Sequence, residues 1–100
     1  MQPNMRMLQQ MQNRMAKIQE ELGEETVSAD AGGGVVTVEV SGLQEVRGIK
    51  IKPEAIDPDD PETLEDLLVV AVNAAMEKAK ELAAQKFGGL TGGMKIPGLF

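Results

Sequence analysis

The chain has 100 residues, of which 42% are apolar, 26% charged and 2% aromatic, enough to fill one small core and too few for a second domain. Ten basic against sixteen acidic side chains leave a formal charge of -6, which excludes a cationic field over the whole surface and requires any basic site to be local. Cysteine, histidine, tryptophan and tyrosine are all absent, which removes disulfides, thiolate metal centres, Cys and His nucleophiles and the usual proton shuttle near neutral pH.

In chain order, Leu8, Met11, Met15, Ile18 and Leu22 recur every three or four residues, which predicts a first helix from about Pro3 or Asn4 to Gly23 with these five on one stripe. Arg6, Gln10, Asn13, Arg14 and Lys17 fall on its opposite side. Thr26 to Ala29 is β-prone, Gly32-Gly33-Gly34 permits a turn with positive φ, and Val36, Val38 and Val40 alternate with Thr37, Glu39 and Ser41. A second turn over Gly42 to Glu45 leads to a third strand, Val46 to Lys52, in which Gly48 marks a candidate bulge. Three strands joined by short turns predict an antiparallel meander. Asp60 is the expected N-cap of a second helix, with Pro61 at its first position and Glu62 favoured by the dipole. Leu64, Leu67, Leu68, Ala71, Ala75, Ala79 and Leu82 form its buried stripe. The glycines at 88 and 89 are expected to stop it just after Lys86, so that residues 1–87 make one domain and 88–100 a flexible Gly-rich tail.

The fold class expected is therefore α+β, in the order helix, three strands, long helix. A helix of about 25 residues spans about 37 Å, whereas a three-stranded sheet is only about 10 to 15 Å wide. The helices must overhang the sheet and expose apolar stripes, for which a twofold homodimer is the simplest cover. The first-helix stripe (Leu8, Met11, Met15, Ile18, Leu22) and Leu64, Leu68, Ala71 and Ala75 are the candidate dimer seam or core.

Charge is arranged in blocks. Residues 1–19 carry three bases and no acid, residues 20–30 five acids, and residues 53–66 seven acids and no base. Arg6, Arg14 and Lys17, with Gln10 and Asn13 between them, have the chemistry to meet phosphates and base edges. On spacing alone a solvated face opposite a buried stripe fits them better than a DNA contact. Arg47, Lys50 and Lys52 read as protection of a strand edge. Lys78, Lys80 and Lys86 alternate with Glu77 and Glu81, with Glu77 and Lys80 expected to pair. Lys86 and Lys95 are weaker candidates for a nucleic-acid contact. Asp57, Asp59 and Asp60 offer oxygen ligands, but the loop has no glycine at its sixth position and Leu68 stands in place of a bidentate glutamate, so helix capping explains them better than a metal. The expectation is no cofactor, no metal, no small-molecule substrate and no enzyme. Met1 to Gln19 lacks the apolar run of a secretory signal and Leu67 to Val72 is too short to cross a bilayer, so a cytoplasmic location without membrane contact is expected.

Gly32-Gly33-Gly34-Val35-Val36-Thr37-Val38 up to Gly42, Leu64-Glu65-Asp66-Leu67-Leu68, Ala71-Val72-Asn73 with Ala75, and Gly92-Gly93-Met94 with Ile96-Pro97-Gly98 together resemble the YbaB/EbfC nucleoid-associated proteins of bacteria. The resemblance runs through nearly the whole chain in order. It implies a tweezer-like homodimer whose projecting helices bind double-stranded DNA in the nucleoid, with little sequence specificity, altering its conformation and affecting gene expression. On that footing Arg6, Gln10, Asn13, Arg14 and Lys17 become the expected DNA-binding residues. The rival reading is an interaction module that docks a protein partner through its Met-rich helix or apolar tail.

Overall fold

The computed structural model describes residues 5–90. The order is α1 (Met5–Glu24), β1 (Thr26–Ala31), β2 (Val36–Ser41), β3 (Val46–Ile51), a short 3-10 turn (Pro53–Ala55) and α2 (Pro61–Leu90). The strands form one antiparallel sheet in sequence order, β1-β2-β3, and the fold is the expected helix, three-stranded meander and long helix.

Alternation in the sequence sets one face of the sheet. Val27, Ala29 and Ala31 lie opposite Val40, Val38 and Val36, and these valines lie opposite Val46, Ile49 and Ile51 in turn. Val36, Val38 and Val40 are fully buried, together with Ala71, Ala75 and Ala79 of α2. Three alanines at intervals of four make a smooth strip along which the helix backbone can approach the valines closely. Leu64, Leu67 and Leu68 pack at the edge of this cluster.

The turns follow from local chemistry. Gly32, Gly33 and Gly34 all have positive φ, the conformation that a β-carbon penalises. In the second turn the Ser41 hydroxyl accepts from the backbone N–H groups of Leu43 and Glu45, while Gln44 takes a left-handed φ of 63°. The register slips between Glu39, opposite Gly48, and Val40, opposite Val46. Arg47 is thus the extra residue of a bulge that Gly48 only flanks.

Asp60 caps α2 as expected, its carboxylate accepting from the Thr63 backbone N–H and hydroxyl. Beyond Lys86 the expectation fails. The helix continues through Gly88 and Gly89 to Leu90, so the boundary between residues 87 and 88 falls inside a helix. Glycine ends a helix when it adopts positive φ at the C-terminus, and among the described residues only Gly32, Gly33 and Gly34 among the glycines do so. In the helical conformation these two positions merely lower propensity by about 1 kcal/mol each. Residues 91–100, which hold the rest of the expected tail, lie outside the described residues. No helix among the described residues is long and apolar enough to cross a membrane.

Candidate nucleic-acid interface

Helix α1 is built mainly from Gln, Met, Leu, Glu, Lys, Arg and Ala, good helix formers, with Ile18 as its only β-branched residue. From Met5 to Lys17 every residue is exposed, and only Leu22 is buried. Of the stripe read from the sequence, Ile18 is half-buried and Leu8, Met11 and Met15 are exposed in the single chain. The helix is held at its C-terminal end and projects from there, in a molecule measuring 67 × 24 × 16 Å.

Three contacts hold that end. The Gly42 backbone N–H donates to the carbonyls of Leu22 at 2.8 Å and Glu25 at 3.0 Å. A β-carbon at Gly42 would stand 2.7 Å from the Leu22 carbonyl oxygen, so only glycine permits this approach. The Arg47 guanidinium donates to the Gly23 carbonyl at 3.1 Å, placing a cation on the negative end of the helix dipole. Lys86 of α2 lies 3.5 Å from Glu21 and 3.4 Å from Glu25.

These contacts sort the cations. Arg47 is committed to the α1 terminus, Lys50 pairs with Glu39 at 3.3 Å, and Lys86 is held between two carboxylates. The Lys78 ammonium donates to the Ser28 carbonyl at 2.8 Å. The expected Glu77–Lys80 ion pair is not among those formed by the described residues. Arg6, Arg14 and Lys17 form no ion pair among the described residues and lie exposed on the projecting helix. Arg6 and Lys17, eleven residues apart, are separated by about 16 Å along the axis, a length that matches about five base-pair steps.

The acidic run does not cancel this patch. Asp66, its last member, lies twenty residues before Lys86, about 30 Å along α2, and the Debye length at physiological salt is about 8 Å. Nearer by, Glu21 and Glu25 are engaged with Lys86. Glu20 and Glu24 remain exposed at the root of α1.

Of the sequence-derived candidates, α1 thus brings Arg6, Gln10, Asn13, Arg14 and Lys17 onto one exposed rod. Lys86 is set apart from them by its two glutamates, and Lys95 lies outside the described residues. The anchoring role of Arg47 was not visible locally, because its acceptor is 24 residues away and depends on where the bulge throws the side chain.

With this geometry in place, comparison with known proteins is specific. The model of the YbaB/EbfC DNA-binding family matches residues 1–94. A nucleoid-associated protein of Desulforamulus reducens is 57% identical over 96 residues, covering 96% of this chain and 91% of that one. Nucleoid-associated proteins of Pelotomaculum thermopropionicum and Chloroflexus aurantiacus are 51% and 53% identical, each over 96% of this chain and over 91% and 94% of their own lengths. A crystal structure of an uncharacterized Helicobacter pylori protein superposes with a TM-score of 0.76 at 21% identity, covering 85% of this chain and 89% of that one, a likeness of fold. These findings define a small α+β protein of the nucleoid-associated class. The chain belongs to the YbaB/EbfC DNA-binding family.

Proposed function

We propose that this protein binds double-stranded DNA in the bacterial nucleoid through the basic face of α1, with little sequence preference, and thereby alters the path of the duplex. The observation that carries the reading is the grouping of cations on the projecting helix: among the described residues Arg6, Arg14 and Lys17 form no ion pair and share one helix face, while Arg47, Lys50 and Lys86 are engaged elsewhere and Lys52 and Lys80, also without an ion pair, are single residues on other elements. Guanidinium and ammonium groups neutralise phosphates without reading sequence, and Gln10 and Asn13 lie within reach of phosphate or base edges between them.

The working unit in this reading is a homodimer. Helix α2 covers β1 and β2, while Val46 and Ile49 of β3, on the same sheet face, remain 46% and 47% exposed. Val69 and Val70 of α2 are 59% and 57% exposed. A second copy burying this apolar surface presents two α1 rods, and hence six cations, to one duplex.

Duplex titrations at several salt concentrations test the reading. Neutralising about six phosphates gives a slope of about -5 in log affinity against log salt. The triple variant Arg6→Ala, Arg14→Ala, Lys17→Ala should lose binding on all sequences alike while keeping its native mass. Affinity that survives the triple change, or that ignores salt, refutes the assignment.

A further inference from the structure

Helix α1 is tied to the rest of the molecule from two directions. From the sheet, the Gly42 backbone N–H and the Arg47 guanidinium both reach carbonyls between residues 22 and 25, a span of about one helical turn. Ties so close together fix a point on the helix and leave its direction free, as a pivot does. From α2, the Lys86 ammonium lies 3.5 Å from a Glu21 carboxylate oxygen and 3.4 Å from one of Glu25. A tie from a second element is what stops a rod from swinging about its pivot. Packing does not do this on every side, because a groove of about 630 Å³ separates Met15 and Leu22 of α1 from Ala84 and Phe87 of α2.

We propose that Lys86 is a positioning residue of the DNA interface: without touching the duplex, it holds Glu21 and Glu25 and so sets the direction in which α1 presents Arg6, Arg14 and Lys17. Its purpose rests on the DNA-binding reading above, whereas the bracing itself does not. Of the bases in ion pairs, Lys86 is the most shielded, with its side chain 25% exposed against 47% for Arg47 and 77% for Lys50. Salt therefore screens this contact less than the other two. With one positive and two negative charges, a net of -1, the cluster also does not attract a phosphate, which sets Lys86 apart from the bases on α1.

The lever is long enough to matter. Arg6 lies fifteen residues before Glu21, about 22 Å along the axis, so a swing of about 10° displaces it by about 4 Å, more than one base-pair step of about 3.4 Å. An ion pair of this exposure adds little to the stability of the fold. Its effect is on the spread of poses, because apparent affinity falls in proportion to the fraction of molecules in the competent one.

The absence of cysteine from the chain allows spin labels to be placed at Gln9→Cys on α1 and Asp30→Cys on β1, both exposed. Their separation within one chain is read by pulsed electron resonance, with labelled full-length protein diluted into unlabelled protein and no DNA present. Lys86→Gln should widen the distance distribution by about 3 Å, the displacement of position 9 for the same swing. Lys86→Arg should keep it narrow, as should the exchanged pair Glu21→Lys with Lys86→Glu, which leaves the net charge unaltered. On duplex DNA, Lys86→Gln should bind about fivefold more weakly, as the competent pose falls to about one fifth of the population, and the other two variants should bind as well as the parent or better. An unchanged distribution in Lys86→Gln overturns the proposal, and so does an exchanged pair as broad as Lys86→Gln, or broadening without loss of affinity. A parent protein that binds no duplex refutes the DNA reading and the purpose drawn from it, while the distances, taken without DNA, still decide whether Lys86 braces α1.

Discussion

The two halves of this molecule solve opposite problems. Where α2 crosses β1 and β2, the valines of β2 and Ala71, Ala75 and Ala79 of α2 are packed to zero exposure, and the polar contacts lie in the turns, the cap and at the rim. In the N-terminal thirteen residues of α1 nothing is buried, and the helix stands on propensity and on its root. Buried packing is thus concentrated in one half, and the other carries a group of three exposed cations, Arg6, Arg14 and Lys17, that form no ion pair among the described residues, with the Gly42–Leu22 junction as the coupling. A protein so divided can change the exposed face of its first helix without touching its core.

Substitutions rank along that division. Gly42→Val puts branched atoms against the Leu22 carbonyl and should cost about 3 kcal/mol or release α1 from its seat; urea melts and amide exchange over residues 18–24 check it, and unchanged exchange there would show that the junction does not couple the halves. Val38→Ala removes buried methyl groups beneath α2 and should cost about 2 kcal/mol, with the salt slope of DNA binding preserved in the folded fraction. Arg47→Met removes the cation from the α1 terminus and should cost about 1 kcal/mol, measured as fraying at Leu22 to Glu24. Gly88→Ala and Gly89→Ala meet no atoms within 4 Å and should each stabilise by about 0.5 kcal/mol, less than at a helix centre because the end frays. The triple change at Arg6, Arg14 and Lys17 should shift stability by less than about 0.5 kcal/mol, the smallest effect in the melt and the largest on DNA.

The packed half was largely legible in the sequence because its signals are local and periodic. Val36, Val38 and Val40 announce a strand with one buried face, and Asp60-Pro61-Glu62 announces a helix start. The extension of α2 through Gly88 and Gly89 was not legible, since glycine allows the left-handed turn that ends a helix without imposing it. The bulge illustrates a similar limit. Gly48 marked the neighbourhood, but which residue is extra depends on pairing across the sheet, and that choice directs Arg47 to Gly23. The cationic face of α1 could be drawn from spacing, whereas the partners that occupy Lys50, Lys78 and Lys86 come from tertiary approach.

The strip formed by Ala71, Ala75 and Ala79 makes α2 a lever resting on a low fulcrum. Leu90 stands fifteen residues from Ala75, about 22 Å along the axis, so a tilt of about 5° at the fulcrum swings that end by about 2 Å. Because Lys86 ties the same arm to α1, the pose of the projecting helix is geared to the height of three methyl groups at the fulcrum.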